Sequence, residues 1–497
     1  MPMLARAGKV GVALTARRNV TIVQLNDSHG YLDSHPEMFR TGRGEVLREA
    51  GGFARIGGAI EELREQRPGG VLVLDCGDTI HGTYPTVHSR GAIMVPILNE
   101  IGFDAMTAHW EFAYGPQRFD EIVGALDYPM LAVNCYDEAD GRLRYPPYTV
   151  VERGGLRIGI VGIAATIVDK VMPPHFSEGV RFTLGKDELP GHIERLKDVE
   201  GVDLVVVISH LGFPQELRLA SEVDGIDVLL SGHTHNRIPR PVRVNDTVII
   251  QSGCHGSFLG VLELAVEEGT VVDLDHRLLV VDESVPHSPE VGELVEKALA
   301  PHRDFLSEVV GSTMTPLHRY NSLESTMDNF LLDSVRRATG AAMAFSNGWR
   351  YGVPVPRGAV TVEDLYNILP VDPPISTCRL TGRELVDMME ENLERTFAAN
   401  PYEQMGGFVK RTSGLRMYFK IENPEGQRIQ EVFVGDTELR AKDVYEVAYV
   451  TEQGVPPGYG TDRRNLDIGG IEAMREHLSS AGAAGVDASP RGGVVAV

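Results

Sequence analysis

The sequence predicts an α/β fold for its first half, and two observations support this. Short apolar, β-branched runs recur from about residue 19, and each leads into a cluster of polar side chains. Between the first two runs, residues 54–64 carry apolar side chains at helical spacing. Strands with polar groups at their carboxyl ends are typical of an open α/β sheet and its binding crevice. We therefore interpret residues 19–285 as one α/β domain.

Five such runs follow one another along this domain. They are Val20 to Leu25, leading into Asn26-Asp27-Ser28-His29; Val71 to Leu74, leading into Asp75-Cys76-Gly77-Asp78; the short run through Ala105 and Met106, leading into His109; Leu204 to Ile208, leading into Ser209-His210; and Val228 to Leu230, leading into Ser231-Gly232-His233-Thr234-His235. We interpret each run as a strand and expect the polar residues to lie in one crevice.

The rest of the chain is assigned to four further segments. Residues 286–311 have the apolar spacing of a linker helix, which could equally be the last helix of the first domain. Residues 312–478 are predicted to form an α+β domain, with helices over 325–338 and 382–396 and a strand over 416–421. Residues 479–497 are rich in glycine and alanine, which predicts a disordered tail, and residues 1–18 form an N-terminal extension.

Composition restricts the classes of partner. The chain has 497 residues, a formal net charge of −23 and a pI of about 5.1. Such a surface repels nucleic-acid backbones and anionic lipid, so we expect neither nucleic acid nor membrane as a partner. The four cysteines are scattered without a C-x-x-C pair, which argues against a disulfide framework. We expect a cytoplasmic protein from the sequence as written, and a periplasmic or extracellular one if the N-terminus is truncated or misassigned.

The strand ends carry side chains suited to binding two metal ions. They are Asp27, His29, Asp78, His109, His210, His233 and His235. A carboxylate can bridge two ions whereas an imidazole cannot, so Asp78 is the predicted bridge. One ion would take Asp27, His29 and His235, and the other His109, His210 and His233. Imidazole and carboxylate together suit Mn²⁺, Zn²⁺, Fe²⁺ or Co²⁺, and a water between two such ions becomes a nucleophile at neutral pH. His81 and His255 are candidates to support these ligands.

At these motifs the chain resembles the calcineurin-like metallophosphoesterases, and specifically the 5′-nucleotidase family. The resemblance rests on Asn26-Asp27-Ser28-His29-Gly30, Gly51-Gly52-Phe53-Ala54-Arg55, Leu74-Asp75-Cys76-Gly77-Asp78 and Gly232-His233-Thr234-His235. It implies a four-layer metallophosphoesterase sandwich followed by a 5′-nucleotidase-type substrate domain. It also carries the family's metal ligands onto all seven residues named above, with one substitution.

That substitution bears on the function. Nucleotidases have Gly-Asn-His-Glu-Phe-Asp where this chain has Ala108-His109-Trp110-Glu111-Phe112-Ala113. His109 stands in place of the family's metal-binding Asn, Trp110 in place of its catalytic His, and Ala113 in place of the Asp that orients that His. Losing the help of a general acid typically costs about 10²–10⁴-fold in rate. Such a loss matters for a sugar alkoxide and little for a thiolate-like leaving group.

The pattern around Trp110, with Ser346 to Tyr351 and Tyr402-Glu403-Gln404-Met405-Gly406-Gly407, is similar to the SoxB-type thiosulfohydrolase branch. The resemblance implies a dimanganese enzyme that hydrolyses a cysteine S-thiosulfonate on a carrier protein and releases sulfate. We predict that Trp110 is an apolar wall beside the metals. The residues predicted to carry the chemistry are Asp78, His109, Trp110, Arg350 and Arg411, and the substrate candidates are Trp349, Arg350, Tyr402, Lys410 and Arg411.

Two alternative functions stay open. The first is a 5′-nucleotidase or UDP-sugar hydrolase type of phosphoesterase, and the second is a metal-bearing binding module without catalysis. A complete set of seven ligands argues against the second. For the thiosulfohydrolase, we expect the partner to be a small sulfur-carrier protein with a flexible, Cys-bearing tail, because a narrow cleft between two domains suits an extended arm.

Overall fold

Continuous apolar strands predict sheets that are buried on both faces. The computed structural model, which describes residues 17–497, has two such sheets packed against each other in the first domain. Its strands, in chain order, are β1 Arg18–Leu25, β2 His35–Thr41, β3 Gly44–Ala50, β4 Val71–Asp75, β5 Ala105–Met106, β6 Cys135–Asp137, β7 Tyr148–Arg153, β8 Leu156–Ile163, β9 Val180–Phe182, β10 Leu204–Ser209, β11 Val228–Ser231, β12 Val242–Val244, β13 Thr247–Ile250, β14 Phe258–Glu267 and β15 Thr270–Val280.

Each of the two sheets has a parallel part that is flanked by antiparallel strands, on one side in the first sheet and on both sides in the second. The first has the order β15-β14-β1-β4-β5, in which β1, β4 and β5 are parallel. The second has the order β12-β13-β11-β10-β8-β7, in which β8, β10, β11 and β13 are parallel. All five predicted strands are present, as β1, β4, β5, β10 and β11, and each pairs in parallel with a neighbouring strand. Their carboxyl ends therefore lie at the edge where an open α/β sheet binds its ligands.

Helices cover the outer face of each sheet. Up to the second domain they are α1 Phe53–Gln66, α2 Tyr84–His88, α3 Met94–Ile101, α4 Pro116–Val123, α5 Val168–Val171, α6 Leu189–Asp198, α7 Phe213–Glu222, α8 Pro289–Leu299 and α9 Arg303–Leu306, with 3-10 helices at Trp110–Tyr114 and Pro174–Phe176. Helices α1, α3, α4 and α8 pack on the first sheet, and α6 and α7 pack on the second.

Side-chain alternation along the strands builds the four layers. Within β1, Ile22 lies between the two sheets whereas Val23 faces the helices of the first layer. Within β10, Val206 lies between the sheets and Val207 faces the helices of the opposite layer. The predicted four-layer α/β sandwich is thus confirmed. Its strands are continuously apolar because both faces of each sheet are buried.

The segment predicted as a linker helix packs on the first domain. The buried side chains of α8 are Val291, Val295 and Leu299, and they share a core with Ile56 and Ile60 of α1. Ser288 begins the helix by accepting a hydrogen bond from the backbone N–H of Val291. Of the two alternatives that the sequence leaves open, the structure favours the last helix of the first domain.

The second domain is a mixed α+β unit. Its strands are β16 Val309–Thr313, β17 Met343–Gly348, β18 Gly358–Thr361, β19 Pro374–Thr381, β20 Phe408–Ser413, β21 Leu415–Phe419, β22 Ile429–Val434, β23 Thr437–Glu438, β24 Val444–Tyr449, β25 Thr461–Gly469 and β26 Val494–Ala496. Its helices are α10 Thr326–Thr339, α11 Val362–Ile368, α12 Gly382–Phe397 and α13 Gly470–Ala481, with 3-10 helices at Pro401–Glu403 and Gly482–Ala484. The central sheet has the order β20-β17-β24-β19-β25, with α10, α11 and α13 on one face and α12 on the other.

The predicted disorder of residues 479–497 is wrong. The chain ends in strand β26, which pairs in parallel with β21. The Glu324 carboxylate accepts hydrogen bonds from the backbone N–H groups of Gly492 (2.8 Å) and Gly493 (3.1 Å). A composition rich in glycine and alanine does not reveal an anchor that lies more than 160 residues away in sequence.

The predicted N-terminal extension lies, up to residue 16, outside the described residues. Arg18 already belongs to β1 and pairs with Asp203 across the two sheets. Within residues 17–497 the helices are too short or too polar to cross a lipid bilayer.

Candidate metal centre and substrate cavity

The structure brings all seven predicted ligands together in two overlapping groups. One group contains Asp78, His109, His210 and His233, and the other contains Asp27, His29, Asp78 and His235. Within each group, one ligand atom per residue lies within 4.8 Å of all the others. Asp78 belongs to both groups, as expected for a carboxylate that bridges two ions. The two groups have the composition that the sequence predicts for the two ions.

Local backbone conformation aims these side chains at one point. Five of the seven residues have positive φ angles: Asp27 (51°), His29 (50°), Asp78 (58°), His233 (73°) and His235 (58°). Residues other than glycine adopt this left-handed region at a conformational cost, and such residues cluster at functional sites. Each of these ligands lies in a tight turn directly after its strand, so the turn redirects the side chain over the end of the sheet.

Hydrogen bonds fix the orientation of the imidazole rings. His210 Nδ1 donates to the carbonyl oxygen of Cys76 (2.5 Å), and His29 Nδ1 donates to the carbonyl oxygen of His81 (3.2 Å). In both rings this leaves Nε2 as the nitrogen that faces the carboxylates of the cluster. His81 therefore supports a ligand through its backbone, whereas its ring stacks on Trp110.

The contacts within the cluster fit a pair of cations. The Nε2 atoms of His29 and His235 are 3.3 Å apart, and the buried carboxylates of Asp27 and Asp78 lie among the same rings. Burial lowers the pKa of His29 to about 3, which keeps this ring neutral. Although burial alone would raise it, His109 and His210 hold the pKa of Asp78 well below its usual range. Burial would lower the pKa of His210, but the Asp78 and Asp27 carboxylates raise it to about 10, so this ring binds a cation only after it releases its proton. Imidazoles in the neutral form and ionised carboxylates form the donor set that binds Mn²⁺, Fe²⁺, Zn²⁺ or Co²⁺.

A buried glutamate holds the loops that carry Asp78 and His109. The Glu111 carboxylate accepts hydrogen bonds from the backbone N–H groups of Thr79 and His109, each at 2.7 Å. The backbone N–H of Trp110 in turn donates to Asp78 Oδ1 (2.8 Å). No role for Glu111 was expected from the sequence. Its position between the apolar residues Trp110 and Phe112, two residues after the predicted ligand His109, was the available signal.

A cavity of about 400 Å³ opens beside the metal ligands, between the two domains. Trp110 forms one wall of it, as predicted. Its indole ring stacks on His81 (centroids 5.0 Å apart) and meets Phe176 and Tyr351 edge to face at 5.8 and 5.9 Å. Among the described residues that line the cavity, the first domain contributes no histidine beyond the predicted ligands.

Three of the five predicted substrate residues line this cavity: Trp349, Arg350 and Lys410. Arg350 donates from its guanidinium to the carbonyl oxygens of His233 (3.2 Å) and Gly407 (2.8 Å). It has no carboxylate partner among residues 17–497, so its charge is available to an anion. Lys410 is 5% exposed, and burial lowers its pKa to about 7.

The predictions for Arg411 and Tyr402 are wrong. Arg411 follows Lys410 in strand β20, so its side chain points to the opposite face of the sheet. There it is buried, with Nε 3.0 Å from Asp328 Oδ2. The Tyr402 hydroxyl donates to Glu222 of α7 (3.0 Å), which makes it a contact between the domains outside the cavity lining.

Several cavity residues were missed by the sequence analysis. They are Lys170, Tyr351, Glu391, Asn392, Arg395, Phe408 and Gln453. Lys170 comes from the first domain, and the others lie on elements of the second domain that are far apart in sequence. No local pattern in the sequence marks such residues.

A two-sheet sandwich with seven candidate Asp and His ligands at its strand ends, followed by a second α+β domain, is the architecture of the two-domain metallophosphoesterases. The 5′-nucleotidase C-terminal domain family matches residues 308–451. The 5′-nucleotidase of Diplobatis ommata is 25% identical over 84% of this chain and 77% of its own length. The trifunctional nucleotide phosphoesterase YfkN of Bacillus subtilis is 23% identical over 86% of this chain, which spans about a third (31%) of that longer relative.

Solved structures share this fold. The sulfate thiohydrolase SoxB of Thermus thermophilus superimposes with a TM-score of 0.88 and 28% identity, over 96% of either chain. A 5′-nucleotidase precursor, also from Thermus thermophilus, has a TM-score of 0.84 and 23% identity, over 96% of this chain and 99% of its own. Residues 308–451 thus match the 5′-nucleotidase C-terminal domain, and the chain as a whole is similar in structure to SoxB and to the 5′-nucleotidase precursor.

Proposed function

We propose that this protein is a two-metal thiosulfohydrolase that cleaves a cysteine S-thiosulfonate on a carrier protein. The observation that carries the proposal is Trp110. An indole ring lies beside the metal ligands, at the position where the 5′-nucleotidases resembled by the sequence have their catalytic histidine. Ala113 adds no carboxylate that could orient such a histidine. A site built in this way suits a leaving group that needs no acid.

The reaction is a hydrolysis with a sulfur leaving group. The oxygen of water bonds to the terminal sulfonate sulfur, and the sulfur–sulfur bond breaks. Its electron pair stays on the carrier persulfide, and sulfate and two protons are released. A persulfide is a stable anion near neutral pH, so this bond breaks without proton transfer from the protein. When bound, two divalent cations lower the pKa of water and neutralise charge on the transferring group.

The protein's own side chains bind the substrate and exclude solvent. The Arg350 guanidinium, which has no carboxylate partner among the described residues, offers N–H donors to the sulfonate oxygens, and Lys410 adds a second cation when it is protonated. Trp110 and Trp349 supply apolar walls. We propose Mn²⁺ as the metal, since a site of imidazole and carboxylate ligands accepts it, with Zn²⁺, Fe²⁺ and Co²⁺ as the alternatives.

The position of the cavity between the domains supports an extended peptide arm as the substrate. Its lining includes Pro173 and Pro174 from the first domain, and Gly406, Pro456 and Pro457 from the second. Both domains therefore contact whatever enters the cavity. We therefore propose that the partner is a small sulfur-carrier protein whose flexible tail carries the modified cysteine.

A nucleotidase is the second candidate function, and Phe408 favours it. This half-buried ring lines the cavity and lies 5.3 Å from the guanidinium carbon of Arg350. A ring beside a cationic group could stack on a nucleobase while Arg350 binds phosphate. The match of residues 308–451 to the 5′-nucleotidase C-terminal domain supports the same candidate.

A direct comparison of substrates decides between the two. The protein with Mn²⁺ is assayed on a glycine-flanked cysteine peptide carrying S-thiosulfonate, and on AMP. Sulfate is measured by ion chromatography and phosphate by colorimetry. We expect kcat/KM for the peptide to exceed that for AMP by about 100-fold or more, because the alkoxide of AMP needs an acid that the site lacks. Efficient AMP hydrolysis without sulfate release would establish the nucleotidase.

Binding of the anionic substrate is expected to weaken as pH rises through 7. Burial lowers the pKa of Lys410 to about 7, so the ammonium is present below this pH and lost above it. A charge-assisted hydrogen bond contributes about 1.5–3 kcal/mol, so we expect KM to rise roughly tenfold between pH 6 and 8.5. Lys410→Met, which keeps the side-chain volume, should already have the high KM at pH 6 and should remove this rise. Parallel pH profiles for the two proteins would refute the role of Lys410.

A further inference from the structure

Tyr351 is a buried aromatic residue at the metal centre with no assigned function. It is 3% exposed and lines the cavity together with His29, Asp78 and Trp110. Its ring stacks on His29, with centroids 4.3 Å apart and planes inclined by 22°. Trp110 meets the same ring edge to face. The second domain thus places a phenol directly against the ligands of the first.

The hydroxyl of Tyr351 has no hydrogen-bond partner in the described part of the chain. Three other tyrosines nearby, of which Tyr31 is buried and two are half-buried, all use theirs. Tyr31 accepts from the backbone N–H of Val353 (3.2 Å), Tyr114 donates to the carbonyl oxygen of Ile80 (2.9 Å), and Tyr320 donates to Glu37. Buried polar groups are nearly always paired, so a hydroxyl that is left free in a cavity lining is available to a ligand.

Contacts from both domains fix the segment that carries Tyr351. Its carbonyl oxygen accepts from Arg319 Nη1 (3.0 Å), and Arg319 is itself fully buried and paired with Asp328. The backbone N–H of Gly352 donates to His255 Nε2 of the first domain (3.3 Å). A donor held in this way needs no rearrangement when charge develops on the substrate, which is the condition for effective electrostatic catalysis.

We propose that the Tyr351 hydroxyl is a catalytic hydrogen-bond donor to an oxygen of the transferring group. This inference rests on the proposed hydrolase function and adds a residue to its chemistry. The sulfonate, or the phosphoryl group of a phosphate ester, gains negative charge on its oxygens as water attacks. The phenol donates a hydrogen bond to one of these oxygens and transfers no proton. Arg350 and Tyr351 together would bind two oxygens of one tetrahedral group.

The test is Tyr351→Phe, which keeps the ring against His29 and removes only the hydroxyl. We expect kcat on the S-thiosulfonate peptide to fall about 10- to 100-fold, with KM changed less than about threefold, since a donor to developing charge acts on the transition state. The matched control is Tyr128→Phe. Tyr128 is buried in the core of the first domain, and its hydroxyl is also unpaired but lies outside the cavity. This control should retain the wild-type kcat.

The readouts separate a catalytic role from a structural one. Melting temperature and bound metal should be unchanged in Tyr351→Phe while kcat falls. If kcat stays within about threefold of wild type in a folded, metal-loaded protein, the inference is overturned. A loss of metal in parallel with activity would also overturn it, because it would show that Tyr351 only supports His29.

A second substrate keeps this result distinct from the proposed function. Wild type and both variants are also assayed on p-nitrophenyl phosphate. If wild type hydrolyses only the phosphate ester, the thiosulfohydrolase proposal fails. The catalytic role of Tyr351 is then tested by the kcat of Tyr351→Phe on that ester. If kcat falls in Tyr351→Phe but not in Tyr128→Phe, the inference stands for either substrate class.

Discussion

Asp78→Asn is expected to reduce hydrolysis by about 100-fold or more, because it removes the carboxylate shared by both metal sites. An amide oxygen is a weaker, uncharged ligand that bridges two cations poorly. Asparagine tolerates the left-handed backbone that Asp78 adopts at φ 58°, so the variant should fold. Activity is measured as sulfate release, and bound metal by elemental analysis after gel filtration.

The control for this experiment is Asp140→Asn, which neutralises an exposed carboxylate in the first domain. It should keep both activity and metal content. We expect Asp78→Asn to lose metal as well as turnover, since each group of ligands has only four members and both include Asp78. Wild-type turnover by a protein with asparagine at this position would contradict the assignment of Asp78 as the bridge.

The second large effect is expected from the double variant Trp110→His with Ala113→Asp. Both residues belong to the 3-10 helix Trp110–Tyr114, in which positions three apart lie above one another. The new carboxylate should therefore contact the new imidazole and orient it toward the cavity. Supplying a general acid is expected to raise kcat/KM for AMP by about 10²-fold or more.

Two comparisons make this gain specific. The gain should be larger for AMP than for p-nitrophenyl phosphate, because nitrophenolate leaves without acid help whereas a sugar alkoxide does not. Trp110→His alone and Ala113→Asp alone should each give little of it. If a stable, metal-loaded double variant shows no gain in kcat/KM on AMP, or the same gain on AMP as on p-nitrophenyl phosphate, Trp110 does not decide the choice of leaving group.

The first domain and its metal ligands could be predicted from the sequence because their signals are local. Each strand is a continuous apolar run, since both faces of the sheet are buried, and each ligand follows its strand within a few residues. Parallel strands then bring these positions to one edge. Asp27 and Asp78 could therefore be assigned to one centre although 51 positions separate them in sequence.

The substrate residues could not be predicted in the same way, because they depend on side-chain direction and on domain packing. Lys410 and Arg411 are adjacent, similar in charge and equally suited to an oxyanion. The alternation of strand β20 places only Lys410 in the cavity, and Asp328 binds Arg411 on the other face. Tyr351 lies on His29 only because the second domain packs on the first. No spacing in the sequence encodes that contact.

The ordered C-terminus illustrates the same limit. Residues 479–497 have the composition of a flexible tail, yet Glu324 and strand β21 hold the last strand in place. A carboxylate that caps several backbone N–H groups replaces the side-chain packing that small residues cannot provide. Long-range hydrogen bonds of this kind are visible only in the structure.

The measurement that tests the account most directly is a crystal structure of the protein with Mn²⁺, recorded with anomalous diffraction at the manganese edge. We expect two anomalous peaks about 3.5–4 Å apart, with Asp78 among the ligands of both and with three further protein ligands around each peak. A single peak at saturating Mn²⁺ would contradict the two-metal centre on which the proposed function depends. So would the absence of any peak with either Mn²⁺ or Zn²⁺ at saturation.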